Sequence, residues 1–366
     1  MGMFKITHEH GSARTGTLKT RHGTVETPFF MPVATKAVGK FVGVDDYALA
    51  KTQAIICNAF ILSLKPGLEV MKQYDGVHKF MNFDKTIFTD CGGFQMLRES
   101  FMQGTTAKGI QFTNPFNKQN ILLTPEKIMH IEMTIKSDVA MMLDDVSPYG
   151  ATKEQFAASL INTHAWAKES LKYHSDKKQL LFGIVQGGFY KDLREKSAKF
   201  IAGLDFDGVA IGGVAIGEPK PLMYKAVNYC TPFLPKEKPR YVMGVGSPED
   251  IVLCVEKGID CFDSVFPTMN ARHNSLFTWK GKIDLDKGKY AVDKKPIDES
   301  CDCFVCKNFS KGYLHHLSKI NEPAGKRYRS IHNIYFMNAL MRKIRTAIKE
   351  NTFQRFKKEF LKNFTA

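Results

Sequence analysis

Eight short apolar runs, each closed by a turn signal and set apart by helix-like spans, constrain this chain more than any other feature. They cover residues 29–33, 54–58, 86–90, 139–144, 182–186, 208–212, 241–245 and 261–265. Apolarity within them is continuous rather than alternating, as expected of strands covered on both faces in a parallel sheet. Residues 153–173 and 191–204 carry helical spacing, and Ser247-Pro248-Glu249-Asp250 reads as a helix start after a loop. Eight βα-type units without a dividing linker predict an α/β fold, a (β/α)8 TIM barrel, with a doubly wound sheet as the alternative.

Four of the runs end on a polar group. Phe262-Asp263-Ser264 stops at Pro267, Thr89-Asp90 enters Cys91-Gly92-Gly93, Leu143 leads into Asp144-Asp145, and Val185-Gln186 enters Gly187-Gly188. Sheets of this class put their chemistry at the carboxyl ends of the strands. A lone Asp there is more often a helix N-cap. Three acids and an amide delivered the same way point instead to one site, and so to an enzyme.

Two segments break the rhythm. Residues 111–117 followed by Ile121-Leu122-Leu123 read as a β-hairpin inserted after the third strand. Residues of about 278–333 hold Cys301, Cys303 and Cys306 in a C-x-C-x2-C arrangement, tight enough for three thiolates to reach one ion. His332, on an expected helix start, completes a Cys3His set; His315 and His316 are rivals that spacing leaves open. Four protein ligands make a closed tetrahedral site, hence one structural zinc rather than a catalytic one. The expected organisation is a single barrel domain over 1–366, with a zinc-binding subdomain at about 278–333 and a basic helical segment at about 334–366.

At 366 residues the chain can bury a large core. No run of about 18 apolar residues could cross a bilayer, and the charged first twenty residues lack a signal-peptide core, so a cytoplasmic location is expected. Eight cysteines, three of them clustered, suit metal binding in a reducing compartment better than a disulfide framework. The net charge of +15 concentrates at the end, where residues 324–366 hold 11 Lys/Arg against two Glu. With Tyr328, Tyr335, Phe353, Phe356, Phe360 and Phe364 interleaved, this tail suits a polyanion such as RNA, or else a solvated amphipathic helix.

Taken together, Thr89-Asp90-Cys91-Gly92-Gly93-Phe94-Gln95, Leu143-Asp144-Asp145, residues 183–188, residues 211–218, residues 241–246, Phe262-Asp263-Ser264-Val265 and the cysteine cluster with His332 resemble the tRNA-guanine transglycosylases, also called queuine tRNA-ribosyltransferases, of bacterial type. The motifs run in family order along essentially the whole chain. The resemblance implies exchange of guanine at the wobble position of a G-U-N anticodon for a 7-deazaguanine, either 7-aminomethyl-7-deazaguanine or queuine, by double displacement. Asp263 matches the nucleophile and Asp90 the general acid and base. Asp144, Gln186 and the backbone of Gly213 and Val214 match the reader of the base, with Phe94 and Met243 sandwiching it. Arg272 matches a tRNA contact, and the family works as homodimers.

Four departures bear on that match. Asn58-Ala59-Phe60-Ile61 replaces an Asn-Thr-Tyr-His segment at the pocket edge, and Phe94 stands where Tyr is common. Met269 occupies an Arg position within Pro267-Thr268-Met269-Asn270-Ala271-Arg272, which leaves anticodon-loop recognition either relaxed or carried by Arg272 and lysines. Val146 after the acid pair favours queuine, whereas Ile216 in the Gly-Gly-x-x-x-Gly loop opposes its bulk, so both bases stay open. The alternatives are a related transglycosylase for another tRNA position or for DNA, a barrel glycoside hydrolase using Asp90 and Asp263, and a non-catalytic RNA-binding partner subunit.

Overall fold

All eight apolar runs form strands. The computed structural model describes residues 3–92, 102–114 and 116–364. An amino-terminal antiparallel sheet of β1 (Phe4–His10), β2 (Ala13–Thr20) and β3 (Gly23–Thr27) precedes the barrel strands β4 (Phe29–Pro32), β5 (Ala54–Asn58) and β6 (Thr86–Asp90). A second antiparallel sheet follows, of β7 (Met102–Thr106), β8 (Gly109–Thr113) and β9 (Asn120–Leu123). The barrel then resumes with β10 (Val139–Met141), β11 (Leu180–Val185), β12 (Gly208–Ile211), β13 (Arg240–Val242) and β14 (Cys261–Ser264). Parallel pairing runs in the order β4-β14-β13-β12-β11-β10-β6-β5. A parallel bridge between Val33 and Ile56 brings β4 back to β5 and closes the circle, giving a (β/α)8 barrel.

Side chains from opposite strands fill the barrel, among them Phe29, Phe88, Phe182 and Tyr241, whose rings meet edge-on or tilted at 5.6–6.1 Å. Gly208 is small because a Cβ there would lie 2.4 Å from the Phe182 ring. The expected hairpin is a three-stranded meander, because β7 pairs with β8 ahead of the β8–β9 turn. Sequence patterning missed the amino-terminal sheet altogether. Its first strand, Phe-Lys-Ile-Thr-His-Glu-His, is mostly solvent-facing and is held by backbone pairing to β2 rather than by an apolar face.

That sheet is fastened across the amino ends of the barrel strands. Buried Asp260, just before β14, takes Arg14 Nε at 3.0 Å and Nη2 at 2.5 Å, together with the Arg240 backbone N–H at 2.8 Å. Breaking such a buried pair costs about 3–5 kcal/mol. Asp138, just before β10, accepts the backbone N–H groups of His22 and Ile87. Acids at the amino ends of the strands therefore hold the fold together, while those at the carboxyl ends face the open mouth.

After β14 come a helix over Phe266–Arg272, a hairpin of β15 (Ser275–Thr278) and β16 (Gly281–Asp284), and a loop with Cys301 leading into the short helix Phe304–Asn308, which Cys303 caps and which holds Cys306. The 27-residue helix Pro323–Lys349 then packs back on the barrel. The basic tail differs from expectation here. Arg329 donates to the Ala271 carbonyl, Arg345 to the Pro28 carbonyl, and both are buried. Tyr335, Phe353, Phe360 and Phe364 are also buried, and Phe360 and Phe364 pack near Trp279, Phe277 and Phe336. Much of this segment is core, and these four aromatics are packed away from solvent, whereas of its cations only Arg329 and Arg345 are buried. Among the described residues no helix is long and apolar enough to cross a membrane.

Candidate active site

The carboxyl ends of β6, β10, β11, β12, β13 and β14 converge on one mouth. Asp263, half-buried on β14, accepts the Tyr241 hydroxyl at 2.5 Å and the Gly244 N–H at 2.8 Å, both on Oδ1. Burial raises its carboxyl, and these two donors work against the rise by stabilising the anion. Asp90 ends β6 and accepts one backbone N–H, from Gly92, at 3.0 Å. Burial first, then the nearby Asp263 and Asp144 charges, push it up to about 8. Two carboxyls in one mouth thus have different environments, which is how acid and base roles are separated.

Asp144 lies buried beyond β10. Its Oδ2 takes the Gln186 Nε2 at 2.6 Å, and its Oδ1 the Cys91 thiol at 3.5 Å. Burial raises it to about 6 against the lowering effect of those donors. Asp145 faces away to the meander and the helix Lys153–Tyr173, meeting Thr105 Oγ1 at 3.3 Å and Asn162 Nδ2 at 2.8 Å.

The turns around these groups are glycine by necessity. Gly213 has φ +62°, and a Cβ there would lie 2.3 Å from Gln186 Oε1. Gly92 has φ +82° and would meet Asn58 Oδ1 and Phe60 Cβ at 3.0 Å. Asn58 in turn caps the helix Ala59–Leu62 through Ile61 N–H at 2.8 Å, while Phe60 packs edge-on against Phe112 of the meander, 4.3 Å between centroids. The departure at residues 58–61 therefore exchanges polar groups for packing. Val214 is buried, Ile216 and Met243 are half-buried at the rim, and the Glu218 carboxylate holds the Ala215 and Ile216 N–H groups at 2.6 and 2.8 Å. Phe94 lies outside the described residues. Arg272 ends its helix half-buried, with no ion pair among the described residues, and Met269 lies one turn earlier.

A family model described as TGT, queuine tRNA-ribosyltransferase, matches residues 9–366. The chain belongs to the queuine tRNA-ribosyltransferase family. A relative of that name from Neisseria meningitidis serogroup A (strain Z2491) is 45% identical over 362 residues, 98% of each chain. Another, from Desulforamulus reducens, is 42% identical over 358 residues, covering 98% of this chain and 97% of its own. A third, from Caldanaerobacter subterraneus subsp. tengcongensis, is 44% identical, with 96% and 94% covered. Queuine tRNA-ribosyltransferases are pentosyltransferases, and the chain is an enzyme of that class.

The cysteine cluster assembles as a metal-competent set. Cys301, Cys303 and Cys306 Sγ lie 3.9, 3.5 and 3.4 Å from His332 Nδ1. Tetrahedral zinc with Zn–S of about 2.3 Å and Zn–N of about 2.0–2.1 Å requires S···N of about 3.6 Å. The other imidazole nitrogen, Nε2, donates to the Phe277 carbonyl at 2.8 Å, which leaves Nδ1 as a lone pair aimed at the sulfurs. His315 bonds the Leu285 carbonyl instead, and His316 is exposed, so geometry selects His332 among the three. His332 sits nine residues into its helix rather than at the start.

A second group, His22, His78 and Asp138, is a hydrogen-bonded clasp at the amino ends of the strands. Its imidazoles stack 3.5 Å apart at 21°, so no one ion lies in both ring planes.

Sequence reasoning missed Arg194. It lies on the barrel-facing side of the helix Lys191–Ala202 with Leu193, Ser197, Ala198 and Ile201, fully buried. A cation at an inward helical position was the signal that could have found it. The Tyr241 hydroxyl and Ser197, whose Oγ accepts Gln186 N–H at 3.1 Å, were missed as well.

Proposed function

We propose that this chain exchanges guanine at the wobble position of G-U-N anticodons for a 7-deazaguanine, through a covalent ribosyl ester on Asp263. The single observation that carries the reading is the contrast between Asp263 and Asp90. Asp263 has two donors stabilising its anion, whereas Asp90 at about 8 keeps its proton at neutral pH. Asp263 attacks C1′ as the bond to guanine breaks, and Asp90 gives its proton to the departing base. The incoming base then yields a proton to Asp90 and displaces Asp263, so configuration is retained.

Asp144 accepts the N1–H and amino donors of guanine, with Gln186 and the Gly213 and Val214 backbone at its O6. Met243 and Phe94 cover the two faces of the ring. Arg272 contacts the anticodon loop. Cys301, Cys303, Cys306 and His332 hold one structural zinc, a reading supported by the sulfur–nitrogen distances and the single tautomer that Phe277 enforces. A homodimer fits the exposed Val38, Phe41 and Tyr313 around the start of the helix Pro323–Lys349. A tRNA substrate fits a cytoplasmic enzyme.

The test is incorporation of labelled guanine into unmodified G-U-N tRNA by wild type and by Asp263→Asn. Incorporation by the first and none by the second is expected. No incorporation by folded, zinc-loaded wild type would sink the tRNA assignment. Competition with 7-aminomethyl-7-deazaguanine and queuine then identifies the inserted base.

A further inference from the structure

Among the described residues Arg194 forms no ion pair; its guanidinium is solvated by main-chain carbonyls, with the Cys230 side chain beside it. Nε donates to Gly188 O at 2.6 Å, Nη1 to Val185 O at 3.0 Å and Gly212 O at 2.8 Å, and Nη2 to Gly213 O at 3.2 Å. These four carbonyls belong to the two turns that follow β11 and β12. Val185 O also accepts the Gly212 N–H at 3.0 Å, so the turns are tied twice. A charge buried this deeply persists only when its donors are met, and a planar fork reaching four acceptors holds each peptide plane in one orientation.

We propose that Arg194 is a positioning residue that aims the base-reading N–H groups of Gly213 and Val214 into the pocket. The inference rests on the reading of the site given above and deepens it. In a trans peptide the C=O and the following N–H point in opposite directions. Because Gly212 O and Gly213 O turn toward Arg194, the N–H groups of Gly213 and Val214 turn away from it. Neither N–H meets an acceptor among the described residues. Gly213 holds the left-handed φ of +62° that this double reversal needs. Gln186 follows Val185 directly, so the same clamp sets where its amide stands. Gly187 admits the helix that carries Arg194, since a Cβ there would lie 2.9 Å from Arg194 N.

The test compares guanine with 2-aminopurine, which lacks the O6 acceptor and the N1–H, as competing bases in the exchange assay, with Asp144 unchanged so that its N1–H contribution is common to all variants. Variants are Arg194→Met and the conservative Arg194→Lys, which keeps the charge and loses the fork. Wild type is expected to prefer guanine. Both variants are expected to lose about tenfold or more of that preference, with KM for guanine raised, KM for tRNA unchanged and Lys no better than partial rescue. If Met yields no folded, zinc-loaded protein, Lys alone gives the reading. A variant that folds and keeps the wild-type guanine/2-aminopurine ratio overturns the proposal, even if its stability falls. Failure of wild type to exchange guanine at all counts instead against the site reading beneath it.

Discussion

The Tyr241 hydroxyl donates to Asp263 Oδ1 at 2.5 Å from a ring that is itself fully buried in the barrel. The nucleophile is thereby coupled to the barrel core rather than to a loop. A hydrogen bond to an ionised acceptor contributes about 1.5–3 kcal/mol, which is about one to two pH units on the acceptor. Tyr241→Phe keeps the ring and removes the donor. Its guanine-exchange rate is expected to show an acid limb moved up by about one unit or more, with thermal stability close to wild type. An unmoved limb would mean that Gly244 N–H alone sets the anion.

Asp90 sets the sign of a stability effect opposite to that of an ordinary paired carboxylate. Its carboxyl is at about 8 in the fold against 3.8 for an unperturbed group, so between those values the folded state binds the extra proton. Stability is therefore lost as pH rises through that window. Asp90→Asn removes the loss and is expected to be more stable than wild type at pH 9, on the order of 5 kcal/mol, and about equal at pH 4. Chemical denaturation at the two pH values measures it, and parallel curves would count against a protonated Asp90. Activity of the variant should be nearly abolished at either pH.

What the sequence made legible and what it hid divide along range of contact. Asp263, Asp90, Asp144 and Gln186 could be read because each ends a continuous apolar run, a local pattern. The barrel followed from the same runs. Arg194, Arg329 and Arg345 could not, since their hydrogen bonds go to carbonyls of residues such as Gly188, Ala271 and Pro28, and a carbonyl has no sequence signature; the one ion pair among them, Arg345 to Glu26, spans most of the chain. The same blindness hid how much of the basic tail packs as core. His332 was identifiable as a member of the cysteine cluster but misjudged in position, because Pro323 opens its helix well upstream. The amino-terminal sheet stayed hidden because its outer strand offers only Phe4 and Ile6 as apolar residues among seven.

The cysteine cluster ties the segment after β16 to the helix Pro323–Lys349, from which Arg345 reaches Pro28 ahead of the first barrel strand. Removing the proposed zinc should thus be felt beyond the cluster. His332→Ala is expected to carry less than one zinc per chain and to unfold several degrees lower, in line with a loss of a few kcal/mol. Metal analysis and thermal unfolding test this together. A metal-free variant as stable as wild type would reduce the cluster to an ornament of the surface.

Met269 and Arg272 occupy one face of a single helical turn after Asp263, three residues apart, with Arg272 half-buried and raised in cost by desolvation. A cation kept there without an ion pair among the described residues suits a phosphate that arrives with substrate. Each phosphate contact adds about 0.7 to the slope of log K against log salt for single strands. Arg272→Ala is expected to weaken tRNA binding and reduce that slope by about 0.7, leaving KM for guanine unchanged. Met269→Arg, which adds a cation on the same face, is expected to tighten binding and steepen the slope by a similar amount. Titration of tRNA at several salt concentrations reads both. An unchanged slope in Arg272→Ala would remove Arg272 from the RNA interface and leave tRNA docking to lysines elsewhere.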